Sequence, residues 1–82
     1  MKITLRLYAT LRDYLPDTGG GPEIIELPEG ATIPEALATR AVPLGLAHIV
    51  MVGGRHVLRQ DVATRQLQDG DELAVFPAIG GG

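Results

Sequence analysis

The sequence predicts an α+β roll: a mixed sheet of about five strands, covered by one main helix and joined by one short helix. Three observations predict it. Five short stretches alternate or run apolar between turn residues, as strands do. One segment, residues 32–41, carries a helix start signal and a helical apolar stripe. No other stretch is long enough for a second full helix, so one helix must cover the apolar face of the sheet.

"KITLRLY" reads as the first strand, with Ile3, Leu5 and Leu7 on one face and Lys2, Thr4, Arg6 and Tyr8 on the other. "TLRDYLP" predicts a short helix. Thr10 and Asp13 resemble a capping box, Leu11, Tyr14 and Leu15 share a face, and Pro16 stops it. "PDTGGG" predicts a flexible loop. "EIIELP" is the second strand, bounded by Pro22 and Pro28, and Glu29-Gly30 turns the chain. In "TIPEALATRA", Thr32 and Glu35 form a capping box and Pro34 sits in the first turn. Ile33, Leu37 and Ala41 make the buried stripe with Ala36 beside them, and Pro43 ends the helix.

"HIVMVGG" predicts a third strand whose near-continuous apolar run implies that both faces are partly covered. Gly53-Gly54 is a hairpin turn and "RHVL" a short returning strand. Leu67 plugs the core from a loop, Asp69-Gly70 turns, and Glu72–Phe76 is the last strand, Leu73 and Val75 inward, Ala74 and Phe76 outward. An SH3-like barrel would leave the 32–41 helix without a role, and a ferredoxin-like fold needs a longer first helix.

Size and composition narrow the function. A domain of 82 residues buries only about 60% of its unfolded surface, which leaves no room for a large enclosed pocket. Function then falls to a surface, a loop or a terminus. The absence of cysteine removes disulfides and thiolate metal sites. Ten acidic against seven basic residues, with scattered arginines, argue against nucleic acid. No apolar run approaches the length of a membrane span, and the start lacks a signal peptide's apolar core. The expectation is a cytoplasmic protein. His48 and His56 read as surface or edge residues, and no Ser-His-Asp set, phosphate loop or paired-carboxylate site is recognisable.

"LYATLRDYL", "EGATIPEAL", "VMVGG" and above all "DGDELAVFPAIGGG" make the chain resemble the MoaD/ThiS family of ubiquitin-like sulfur carriers, over nearly its whole length. Within that family it looks closest to the small subunit of molybdopterin synthase. The resemblance implies a β-grasp domain over residues 1–77 and a flexible tail over residues 78–82. It implies that a ubiquitin-activating-type enzyme adenylates the terminal carboxylate with ATP, that a sulfurtransferase donor makes it a thiocarboxylate, and that the tail delivers sulfur to the molybdopterin synthase large subunit or another acceptor. No cofactor bound by the chain itself is implied. The residues at work would be Gly80, Gly81 and Gly82; the usual pattern ends in two glycines and this chain in three, so Gly82 is either trimmed or bears the thiocarboxylate.

The tail's chemistry is consistent with this. A glycine segment is the thinnest peptide and can thread a channel that side chains would block. The five residues Ala78–Gly82 extend roughly 16 Å at about 3.3 Å each. A chain-terminal carboxyl group is ionised at neutral pH and can attack phosphorus. The same glycines would equally end an inert tail. Tyr8 and Phe76, on neighbouring outer positions if the first and last strands pair, would form an exposed aromatic patch, with Arg6, Pro77 and Ile79 completing a partner-binding surface. Either ring folding over the sheet edge is the alternative. Asp69, Asp71 and Glu72 would meet a basic partner or merely solvate a turn, and Arg55 and Arg59 would touch a partner or solubilise the hairpin. Other outlets for such a tail are thiamine or tRNA thiolation, attachment to proteins as a modifier, or no chemistry at all.

Overall fold

The structure is a computed structural model, and it describes residues 1–15 and 21–78. Five strands form one sheet: β1 (Lys2–Leu7), β2 (Glu23–Glu26), β3 (Ile49–Val52), β4 (Arg55–His56) and β5 (Glu72–Phe76), in the order β2-β1-β5-β3-β4. β1 and β5, the first and last strands in sequence, lie side by side and parallel, while the other pairs are antiparallel. This is the ubiquitin-like β-grasp arrangement expected from the sequence.

Alternation along the two central strands sends Ile3, Leu5, Leu7, Leu73 and Val75 to one face, where all are 3% exposed or less. Helix α1 (Ile33–Ala38) lies over that face with Ile33, Ala36 and Leu37, none more than 1% exposed. Its start is as predicted: the Thr32 backbone N–H donates to Glu35 Oε1 at 3.2 Å, closing the capping box, with Pro34 in the first turn. Leu67 enters the same core from its loop at 2% exposure. An ion pair between Arg40 and Glu23, both half-buried, ties the exit of α1 to β2.

The helix end differs from expectation. The regular helix stops at Ala38, and Ala41 is exposed rather than part of the buried stripe. Ala41 N donates to Ala38 O at 3.1 Å and Val42 N to Leu37 O at 3.1 Å, the paired bonds of a Schellman motif. Ala41 takes the left-handed conformation there, φ 57°, and Val42 turns back into the core beside Leu37. The turn, not Pro43, ends the helix. Glycine is the usual residue at this position because a Cβ is strained in it. Ala41→Gly should therefore raise stability by about 1 kcal/mol, read as a shift in urea midpoint at constant slope.

Other details also depart from the predicted elements. The segment after β1 is a 3-10 helix, Ala9–Tyr14, that starts from Tyr8 without the Thr10–Asp13 capping box. Ala9 enters it in the left-handed region at φ 52°, a bend that capping patterns do not encode. Leu11 and Leu15 are buried and Tyr14 partly so, as the face required. Two elements were not predicted: a 3-10 turn, Leu44–Leu46, and a one-turn helix α2 (Arg59–Val62). Both are too short to show helical periodicity. The Gly53-Gly54 hairpin has φ 59° and 78°, the two positive angles of a type I′ turn. β4 is only Arg55–His56, and on β3 Val50 and Val52 are buried on the core face while the other face is partly covered, as expected, with Met51 half-buried and Ile49 37% exposed. Pro16 and most of the predicted loop after it lie outside the described residues, as do Ile79 and Gly80–Gly82.

Candidate functional site

The described residues offer no enclosed catalytic set. No group of three or more His, Cys, Asp or Glu among them is placed to hold a metal, and no helix among them is long and apolar enough to cross a membrane. A groove of about 660 Å³ runs past Gly30, His56, Asp61 and Arg65, and none of the residues at the end of β5 lines it.

The end of β5 is built differently. Leu7 pairs with Val75 in the central parallel ladder, and one step further Tyr8 N donates to Val75 O at 3.1 Å. On the other side Ile49 pairs with Phe76, and His48 N donates to Phe76 O at 2.9 Å. The end of β5 is thus held from both neighbours, and Pro77 comes immediately after it. The outward alternation brings the rings of Tyr8 and Phe76 together. They stack with centroids 4.3 Å apart and planes 8° from parallel. Tyr8 is 38% exposed and Phe76 half-buried, so the pair forms a flat platform at the sheet surface. The alternative of a ring folded over the sheet edge does not occur.

Arg6, two residues before Tyr8 on the same face, lies opposite the small side chain of Ala74. Its Nε is 3.1 Å from Glu72 Oε2. The guanidinium is pushed up from its already high ordinary value, chiefly by the hydrogen bond to Glu72 and that carboxylate's charge, with smaller contributions from Tyr8. Both partners are substantially exposed, so the pair adds little to stability. Pro77 is half-buried beside the platform, and Ile79 lies outside the described residues.

The acidic residues near the Asp69-Gly70 turn have internal partners. Asp69 Oδ1 accepts from Lys2 N at 2.7 Å, Asp71 Oδ2 from Gln68 N at 2.8 Å, and Glu72 pairs with Arg6. His48 and His56 are exposed, as expected, and Arg59 Nη2 contacts both the His48 ring and its carbonyl oxygen at 3.3 Å.

Ile49 and Met51 belong to the same outer face, and sequence reasoning missed them. Ile49 is the register partner of Phe76, and Met51 that of Ala74. Their signal was present in "HIVMV": apolar residues at the outward positions of a strand mean either cover or a docking surface.

The model of the ThiS family matches residues 5–82, almost the whole chain. Among solved structures, the chain is similar to the solution structure of the HVO 2177 protein of Haloferax volcanii, at 28% identity and a TM-score of 0.74, covering 100% of this chain and 87% of that one. It is similar to a Pyrococcus furiosus protein described as "Putative molybdopterin converting factor, subunit 1", at 26% identity and a TM-score of 0.70, covering 96% of this chain and 99% of that one. SAMP1 of Haloferax volcanii, at 19% identity, has the same fold, with a TM-score of 0.68 and 100% of both chains covered. No curated protein sequence matches.

Proposed function

The chain belongs to the ThiS family, and from that premise we propose that its C-terminal glycine carboxylate carries sulfur as a thiocarboxylate. The observation that carries this reading is the family match itself, which runs through Gly80–Gly82 and so includes the tail with the body. The geometry at the end of β5 supports it. A strand clamped on both sides and a rigid aromatic platform stand where the last residues leave the sheet.

On this reading an activating enzyme uses ATP to adenylate the carboxylate. The carboxylate oxygen attacks the α-phosphorus, pyrophosphate leaves, and a sulfur donor then displaces AMP to give the thiocarboxylate. The body supplies no acid, base or metal. It binds, and it presents the tail. The likeness to the Pyrococcus furiosus protein favours molybdopterin synthesis as the destination, with the synthase large subunit as acceptor and a cyclic pterin precursor as substrate. The need for ATP favours the cytoplasm as the compartment.

The test is mass spectrometry of the purified protein after incubation with its activating enzyme, ATP and a sulfur donor. The expected product has one oxygen exchanged for sulfur within the C-terminal peptide. An unchanged C-terminus with an authentic partner would overturn the reading, and lysine-linked conjugates in cell extract would turn it towards a protein modifier. Phe76→Ala adds a second expectation. It should weaken carrier binding to the activating enzyme by about 2 kcal/mol, roughly thirtyfold, as loss of a central aromatic anchor does. Because the ring is only half-buried, the cost to folding should be smaller, and calorimetric titration beside thermal melts separates the two.

A further inference from the structure

The charge of the chain is not spread evenly. Residues 48–66 carry three arginines and both histidines against the single acid Asp61, while the rest of the chain carries four basic residues against nine acidic ones. This segment includes β4, the sheet edge opposite β2, and helix α2. Arg55, Arg59 and Arg65 are all exposed, and none has a carboxylate partner among the described residues, whereas Arg6 and Arg40 are both ion-paired. An acidic protein thus keeps a cationic region that it does not neutralise itself.

The open groove of about 660 Å³ lies in this region. Arg65 lines it together with His56, Asp61 and Leu58. Leu58 is 55% exposed, so the groove offers an apolar side chain as well as a cation. Solubility is served by scattered charge and gains nothing from an uncovered leucine. An interface uses both. Arginine is enriched in protein interfaces and lysine depleted, because the guanidinium fork takes a carboxylate by two parallel hydrogen bonds and is weakly hydrated. The segment has three arginines and no lysine. Single-stranded nucleic acid is a poorer fit. Base stacking needs aromatic rings, and Tyr8, Tyr14 and Phe76, the aromatic residues of the chain, lie outside the groove. The net charge of −3 also repels a polyanion.

We propose that this groove is a second docking site, for an acidic peptide segment of another protein whose carboxylates meet Arg65 and whose apolar side chain covers Leu58. It shares no residue with the end of β5, so it can be filled while another protein holds the Tyr8–Phe76 platform. The site is independent of the sulfur-carrier reading, since it involves neither the tail nor an activating enzyme. Asp61 fixes the sign of the occupant. As the one acid lining the groove, it repels an acidic segment and would attract a cationic one.

The experiment titrates the full chain with a short synthetic peptide of leucine set among glutamates, followed by amide chemical shifts and by calorimetry. The matching glutamine peptide and a single-stranded oligonucleotide are the controls. Shifts should move at Leu58, Asp61 and Arg65 and stay in place at Tyr8 and Phe76. Arg65→Glu should weaken binding about tenfold and Leu58→Ser about fivefold, and Asp61→Asn should tighten it about twofold. Rising salt should weaken it. All three side chains are exposed, so melting temperatures should stay near that of the wild-type protein, which separates lost binding from lost folding. Unmoved shifts in the groove, equal binding of the glutamine peptide, or weaker binding after Asp61→Asn would each overturn the proposal. So would an oligonucleotide that binds as tightly as the acidic peptide.

Discussion

Replacing Gly81 with valine should abolish sulfur delivery and leave the thermal stability of the folded body unchanged. Gly81 lies beyond the described residues, and the expectation comes from chain chemistry. A partner that adenylates a peptide carboxylate must admit the preceding residues into a narrow passage, and only glycine offers a backbone without a Cβ. Valine adds two branches at that Cβ and narrows the accessible dihedrals as well. Displacing the reacting carboxylate by even about 1 Å costs on the order of a hundredfold in rate, and outright exclusion costs more. Single-turnover formation of the thiocarboxylate, followed by mass spectrometry, measures the loss, and a circular dichroism melt checks the body. Charging of Gly81→Val at the wild-type rate would remove the tail from the mechanism.

Leu73→Ala should have the largest effect on stability. Leu73 is fully buried on the central strand β5, in register with Leu5 on one side and Val52 on the other. Truncating a buried leucine costs about 2–5 kcal/mol, because the lost apolar contacts add to the cavity left behind. A domain of this length has a total stability of only about 4–12 kcal/mol. The variant should be marginal at physiological temperature, with a urea midpoint far below that of the wild-type protein. Ile24→Ala is the matched comparison: Ile24 is 66% exposed on β2, and its loss should change stability by less than about 0.5 kcal/mol. A Leu73→Ala cost as small as that of Ile24→Ala would mean that the inner face of β5 is not the centre of the core.

The sequence was most legible where a periodic pattern met a burial boundary. Ile3, Leu5 and Leu7 alternate with polar residues, so the faces of the first strand could be assigned without coordinates; on the last strand, where only Glu72 is polar, the period of two alone put Leu73 and Val75 inward. The Thr32–Glu35 capping box is a local chemical signal and was read correctly for the same reason. The turn at Ala41 was not readable, because alanine gives no sign that it will adopt a positive φ; only the pull of Val42 into the core requires it. Thr10 and Asp13 carried a capping signal that the bend at Ala9 overrode. At the candidate site, the pairing of Tyr8 with Phe76 emerged once the first and last strands were taken as neighbours. Ile49 and Met51 were hidden by an ambiguity in the apolar run, which reads the same for a covered strand and for an open docking face.

The parallel pairing of β1 with β5 has a consequence for how the protein is made. β5 is the middle strand of the sheet but the last to be synthesised, so on the ribosome the earlier strands exist only as two unjoined halves. Closure demands contacts between the two ends of the polypeptide, the slow kind of folding event. The Tyr8–Phe76 stack draws one ring from each end and cannot form before closure. On the proposed function, an activating enzyme that gripped that stack would inspect the fold as it bound, and would leave nascent or misassembled molecules uncharged.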